Sequence, residues 1–326
     1  MTRVQLVRAL SDDLSSMRLE TVAPRVAGDG EVLVRLKAAS VNFPDILMIQ
    51  GKYQYKPELP FSPGMEGAGD IVACGKGVTG FSVGDKVVVG VRNGCFAEEI
   101  VAPLASIRAL PPGFSYEQGA AYPAAYLTAY VALVRRGNLQ PGETLLVHGA
   151  AGGVGLAAVD VGKVLGAKVI ATASTEEKRS FLMSYGADHV LPSSGFREEV
   201  KALTRGNGAD VIFDPVGGDV FDESVRCVAF DGRLLIIGFT SGRIPSVNVN
   251  MPLIKGFSVV GVRAGEYGRR FPARGAENLR AIADLASSGR IRPHVCATFP
   301  LEKARDAMRM LEERRVIGKV VIRPGD

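Results

Sequence analysis

The sequence predicts an α/β protein of two domains, one β-rich and barrel-like, the other built on a doubly wound parallel sheet. Three observations carry this. The chain has 326 residues, and at roughly 150 residues per domain that is two domains, each long enough to bury a core. Residues 4–121 read as short alternating strands cut by Gly and Pro, whereas residues 144–262 alternate continuous apolar runs with amphipathic segments.

In the first region, residues 31–37, 69–72 and 85–89 are strand-like and each is bounded by turn residues, the pattern of an antiparallel barrel-like domain. Over residues 116–136 Ala and Leu recur at helical spacing, which predicts a helix linking the two domains. The second region carries Leu145-Leu146-Val147, Lys168-Val169-Ile170-Ala171, Val211-Ile212-Phe213, Leu234-Leu235-Ile236-Ile237 and Ser258-Val259-Val260. Apolarity that does not alternate marks strands covered on both faces, as in a parallel sheet. Two amphipathic helices, 277–287 and 301–313, and a strand over 319–322 close the chain.

Composition bounds the function. Hydrophobic residues make up 47% and charged residues 22%, the balance of a soluble globular protein. No apolar stretch approaches the ~20 residues that span a bilayer. Residues 1–13 carry charges throughout and no apolar signal core, so a cytoplasmic, non-membrane protein is expected. The net charge of +5 comes as isolated pairs (Arg135-Arg136, Arg269-Arg270, Arg314-Arg315), not a basic tract interleaved with aromatics, which argues against nucleic acid as a partner. Cys74, Cys95, Cys227 and Cys296 and the three histidines, His148, His189 and His294, are scattered. They form no common structural zinc spacing and no disulfide scaffold, so no metal is expected and the thiols read as inert.

Directly after Leu145-Leu146-Val147 comes His148-Gly149-Ala150-Ala151-Gly152-Gly153-Val154-Gly155, then a helical stretch, 156–165, and a second strand. Strand, glycine turn, helix is the context a dinucleotide-binding loop requires. Gly152 lets the backbone approach a pyrophosphate, Gly155 lets helix pack on strand, and the helix N-terminus offers free N–H groups to the anion. Ala150 stands where the fingerprint most often has its first Gly. An NAD-binding loop carries an Asp or Glu about 20 residues on. Here the second strand ends in Ala173-Ser174-Thr175, followed by Lys178 and Arg179. Small hydroxyls and a cation suit a 2′-phosphate, so NADPH is the expected cofactor, with Ser174 and Lys178 as contacts; Glu176 and Glu177 oppose that charge, and Lys178 on a solvated helix face is the alternative.

The chain resembles the zinc-free quinone oxidoreductase branch, which includes zeta-crystallin, of the medium-chain dehydrogenase/reductase superfamily. The resemblance runs along essentially the whole chain: Asn42-Phe43-Pro44-Asp45 with Gly51-Lys52-Tyr53, Pro63-Gly64-Met65-Glu66-Gly67-Ala68-Gly69, Gly84-Asp85-Lys86-Val87, the glycine loop, Asp214-Pro215-Val216-Gly217-Gly218, and Gly238-Phe239-Thr240-Ser241-Gly242. It implies a GroES-like catalytic domain, 1–124 completed by 266–326, around a Rossmann NADP-binding domain, 125–265. Zinc-dependent relatives place a catalytic Cys near what is Ser40 here and a His at what is Met65; neither residue serves as such a ligand, and the four-cysteine structural loop is missing. Glu66 then reads as a buried structural carboxylate.

The resemblance implies that hydrogen-bond donors polarise the acceptor carbonyl in place of a metal, with Asn42, Tyr53 and Thr128 as catalytic candidates. A turn residue, a packing aromatic and a capping threonine are the alternatives at these positions. It also implies that Gly152, Gly153 and Val154 lie along the pyrophosphate, that Phe239, Thr240 and Ser241 reach the nicotinamide side, and that Arg314, or its neighbour Arg315, approaches the 2′-phosphate. A tyrosine found near that phosphate in relatives falls here at about Ser193. The function expected is NADPH-dependent reduction of a quinone. Reduction of an activated C=C bond, as in alkenals, enones or 2-haloacrylates, is the alternative; an NADPH-binding protein with a structural or RNA-binding role is a third reading. A homodimer pairing the strand within 256–263 is the expected assembly.

Overall fold

The two rhythms of the sequence become two separately packed units in the computed structural model, which describes residues 1–325. Unit 1 comprises Met1–Ala124 and the chain from Pro293 onward; unit 2 is Ala125–Arg292. The second passage falls at 292/293, later than the position at 265/266 read from the sequence. Side chains hold the intervening helices in unit 2: Arg135 Nε donates to Asn278 Oδ1 at 2.7 Å and Arg290 to the Val164 carbonyl at 3.3 Å.

Unit 1 opens with β1 (Thr2–Val7), β2 (Met17–Val22), β3 (Glu31–Ser40), α1 (Phe43–Ile49), β4 (Glu66–Cys74), β5 (Lys86–Gly90), β6 (Glu99–Pro103), β7 (Ile107–Ala109) and α2 (Tyr116–Ala121). In β3, Val32, Val34 and Leu36 are buried while Arg35 is exposed, the alternation that put a half-buried strand there. The single linking helix expected over 116–136 is broken. A new helix, α3 (Pro123–Tyr130), starts at Pro123, which has no N–H to continue a hydrogen-bond ladder, and Val131–Arg136 then winds wider, with Gly137 N donating to Ala132 O at 2.7 Å.

Unit 2 continues with β8 (Thr144–Val147), α4 (Gly153–Val164), β9 (Lys168–Ala173), α5 (Glu176–Tyr185), β10 (His189–Pro192), α6 (Arg197–Leu203), β11 (Ala209–Asp214), α7 (Gly218–Ser224), β12 (Val228–Ile236), α8 (Asn250–Lys255), β13 (Ser258–Gly261), α9 (Ala264–Arg270) and α10 (Pro272–Ser287). Its six strands are all parallel, in the order β10-β9-β8-β11-β12-β13. The direction of winding reverses between β8 and β11, so the C-terminal ends of these two strands flank the ligand crevice expected of such a sheet. Leu145, Leu146, Val147, Val211, Ile212, Phe213, Leu234 and Leu235 are all buried. The two edges differ from the reading. β10 carries one buried residue, Leu191, and has no apolar run to reveal it. β13, read as covered on both faces, is mostly exposed because it is the last strand of the sheet.

The chain returns to unit 1 with β14 (Val295–Pro300), α11 (Ala304–Glu312) and β15 (Lys319–Arg323). The main sheet runs β14-β15-β3-β4-β5-β7, with β6 also pairing β3. β14 and β15 are parallel and the other pairs antiparallel. Its core draws on Val32, Val34, Leu36, Ile46, Ile71, Met308 and Ile322.

Candidate active site

In unit 1 the site grows from the junction of β3 and α1. Asn42 caps α1, and its extended backbone (φ −125°, ψ 151°) turns the chain from strand to helix with Pro44 in the first turn. Asp45, in that first turn, accepts from Asn42 N at 2.8 Å with one oxygen and from Gly64 N at 3.0 Å with the other. Burial pushes the Asp45 carboxyl up to about 7, against the pull of those two bonds. Asp45 thus ties the loop before β4 to the start of α1.

The Asn42 side chain faces a buried ion pair. Nδ2 donates to Glu66 Oε1 at 2.9 Å, and Lys319 Nζ donates to Asn42 Oδ1 at 2.6 Å and to Glu66 Oε1 at 3.0 Å. Lys319 is 7% and Glu66 1% exposed. The other Glu66 oxygen accepts from Ala124 N at 2.7 Å. A charge this deep must be paired and hydrogen-bonded to persist, and Glu66 is both, as a structural carboxylate. Ser40 Oγ is buried with no hydrogen-bond partner, and burial raises the thiol pKa of nearby Cys95 well above its ordinary value. Tyr53 follows α1, its N–H donating to Leu47 O at 3.2 Å and its ring half-buried against the unit 1 core. Lys319 was missed from the sequence; the one available signal was a lysine opening an otherwise apolar strand.

In unit 2 the predicted cofactor residues line the C-terminal ends of adjacent strands. Gly152 caps α4, Gly153 and Val154 form its first turn, and all three are partly accessible while Ala151 and Gly155 are buried. The loop is held from behind, Ala150 N donating to Thr172 O at 3.1 Å and Gly152 N to Gly149 O at 3.0 Å. Beneath it lies His148. Ser224 Oγ donates its only proton to Val220 O at 2.7 Å, so it accepts from His148 Nε2 at 2.8 Å, and Nδ1 then accepts from Thr172 Oγ1 at 3.0 Å. Burial lowers this imidazole to about 3, which keeps it neutral and locks that tautomer.

The loops after β11 and β12 pack together. Asp214 Oδ1 accepts from Val216 N at 2.8 Å and Gly217 N at 2.9 Å; Thr240 N and Oγ1 both donate to Pro215 O at 3.1 Å, and Ser241 N donates to Val216 O at 3.0 Å. These bonds hold Phe239, Thr240 and Ser241 exposed at the same edge of the sheet as the glycine loop. At the end of β9, Ser174 is exposed and Lys178 half-buried. Arg179 lies across the strand end, donating to Ala173 O at 3.4 Å and to Glu176 Oε2 at 2.6 and 3.2 Å. Thr128 is half-buried on α3 in unit 2; Arg314 is exposed after α11 in unit 1, in a left-handed conformation at φ 56°.

The glycine loop fits a dinucleotide. At Gly155 an added Cβ would stand 2.4 Å from Gly149 O, so packing inside the chain demands glycine. At Gly152 an added Cβ would meet nothing nearer than Gly149 O at 3.4 Å. The backbone there is ordinary for any residue (φ −79°, ψ 169°), so no contact within the chain requires glycine at this cap of α4, and a helix N-terminus is where a pyrophosphate docks. Among the described residues, no three His, Cys, Asp or Glu side chains come together as a metal site.

Comparison with known proteins agrees. Residues 28–112 match the alcohol dehydrogenase GroES-like domain and residues 153–282 the zinc-binding dehydrogenase domain. The chain is 41% identical over 300 residues to the quinone oxidoreductase-like protein 2 homolog of Nematostella vectensis, covering 90% of this chain and 82% of that protein. A probable oxidoreductase from Mycobacterium abscessus superposes with a TM-score of 0.89 at 36% identity over 99% of both chains. A mycobacterial protein solved with NADPH superposes at 0.88 with 32% identity, over 99% of this chain and 100% of that one. The chain therefore belongs to the medium-chain dehydrogenase/reductase superfamily, in its zinc-free quinone oxidoreductase branch. It is an oxidoreductase that uses a nicotinamide cofactor. Among the described residues, no helix is long and apolar enough to cross a membrane.

Proposed function

We propose that the protein is an NADPH-dependent quinone oxidoreductase that polarises its acceptor with hydrogen-bond donors in place of zinc. The end of β9 carries the NADPH assignment. An NAD site needs a carboxylate there to accept from the ribose hydroxyls; here Ser174 occupies the strand end, and the nearby Glu176 is spent on Arg179. Ser174 and Lys178 contact the 2′-phosphate; for Arg314 the support is the resemblance alone. The N–H groups of Gly152, Gly153 and Val154 take the pyrophosphate, and Phe239, Thr240 and Ser241 border the nicotinamide side with Thr128.

The cofactor, when bound, supplies the hydride. Asn42 Nδ2–H and the Tyr53 hydroxyl donate to the acceptor oxygen and stabilise the negative charge that develops on it. The test is kcat/KM with NADPH and with NADH, against quinones and against an alkenal and 2-haloacrylate panel. The reading expects NADPH to be favoured by at least about tenfold, the loss of one charge-assisted contact. Equal or better efficiency with NADH overturns the cofactor assignment, and faster turnover of the alkenes than of every quinone overturns the acceptor. Binding of NADPH with no turnover of either class would favour the non-enzymatic reading.

We also propose a homodimer formed through β13. This unpaired edge lies beside Leu253, 82% exposed, Ile254, 72% exposed, and Phe230, 81% exposed, and an open strand edge flanked by apolar side chains is a template for a second copy. Light scattering should give about twice the 34.5 kDa of the chain, and Val259→Pro, which removes an edge N–H, should shift it toward monomer. A monomeric mass for the unaltered protein overturns the assignment.

A further inference from the structure

We propose that Lys319 is a positioning residue that fixes which way the Asn42 carboxamide faces; this rests on the reading of Asn42 as a donor to the acceptor. A primary amide can turn over about its last torsion, exchanging oxygen and nitrogen. Here the two neighbours forbid it. The Lys319 ammonium has protons and no lone pair, so it meets Oδ1, at 2.6 Å; Glu66 Oε1 accepts, so it meets Nδ2, at 2.9 Å. Turning the amide over would set N–H against ammonium and oxygen against carboxylate, with both charged groups almost fully buried.

One Nδ2 proton is thereby committed to Glu66. The other has only Ser40 O, at 3.5 Å, a long contact that leaves its donor capacity for the substrate. Lys319 also draws electron density through Oδ1, which makes the remaining N–H a stronger donor. The lysine is itself fixed, because Lys319 N donates to His294 O at 2.9 Å where β15 begins.

The experiment compares Lys319→Met, Lys319→Gln, Asn42→Ala and Asn42→Ala/Lys319→Met. Each is assayed for kcat and KM with a simple benzoquinone, for NADPH Kd by fluorescence, and for the Asn42 side-chain amide signals in spectra of protein labelled with ¹⁵N-asparagine, assigned by their loss in Asn42→Ala. Lys319→Met should lower kcat about tenfold or more while NADPH Kd stays within about twofold, and should displace the Asn42 amide pair. Lys319→Gln, whose amide can still donate to Oδ1, should recover most of kcat. In the Asn42→Ala background, Lys319→Met should change kcat by less than about twofold, because both act through one group.

Multiplying effects of the two substitutions, or unmoved Asn42 amide signals in Lys319→Met, overturn the proposal. If Asn42→Ala leaves kcat within about twofold while Lys319→Met displaces the amide pair, the donor reading falls and the positioning role stands. If Asn42→Ala is severe and Lys319→Met leaves the amide pair in place, the positioning role falls and the donor reading stands. Should Lys319→Met not fold, Lys319→Met/Glu66→Gln removes both charges together, keeps an acceptor for Nδ2 at the expense of the bond from Ala124 N, and carries the same expectations for kcat and the amide signals.

Discussion

Replacing Asn42 with alanine should lower kcat for quinone reduction on the order of 10²–10³-fold, the effect of deleting one donor to a developing oxyanion. The loss should appear in kcat and kcat/KM together, because the bond strengthens as charge moves onto the acceptor oxygen. NADPH affinity should be nearly unchanged, since Asn42 is not among the residues assigned to the cofactor. The fold should survive as well. Glu66 and Lys319 keep their direct 3.0 Å contact, and Glu66 keeps its bond from Ala124 N, so the truncation leaves no buried charge without a partner. Tyr53→Phe removes a hydroxyl and little volume, and should also lower kcat. If both variants turn over quinone within about twofold of the unaltered enzyme, neither is the donor that such a reaction requires.

What was legible in the sequence was local. The strand, glycine turn and helix over residues 144–165 lie within one stretch of chain, so the loop could be read with its chemistry, and the structure places it at the N-terminus of α4. The rhythm of continuous apolar runs likewise announced the parallel sheet, because strands buried on both faces need no alternation. The Asn42 cluster was legible only in part. Lys319 meets Asn42 across 277 residues and Glu66 across 253, and no periodicity relates positions that far apart. A lysine opening a short strand reads as a solvated end; here β15 pairs with β3 and carries it into the interior. The edge strands failed for the opposite reason. β10 buries too little to leave a pattern, and β13 carries the pattern of a covered strand although as the last strand of the sheet it is mostly exposed.

The two glycines at either end of one turn should separate affinity from stability. Gly152→Val places a side chain at a position whose extended backbone suits a β-branched residue, and its Cβ meets only Gly149 O, at 3.4 Å. The apo protein should therefore melt close to the unaltered chain. The added atoms occupy the space over the first turn of α4, and overpacking against a docked pyrophosphate costs about 1–3 kcal/mol, roughly a ten- to hundredfold rise in NADPH Kd. Gly155→Ala should do the reverse. Its Cβ would lie 2.4 Å from Gly149 O and 2.6 Å from Ala150 Cα, both backbone atoms that no rotamer change can move. The helix must retreat from the strand, so the melting temperature should fall even without cofactor, by the several degrees that about 1–3 kcal/mol represents in a domain of this size. Thermal melts with and without NADPH, beside a fluorescence titration, distinguish the two. Equal destabilisation of both apo variants, or unchanged NADPH affinity in Gly152→Val, would show that Gly152 serves the turn and not the cofactor.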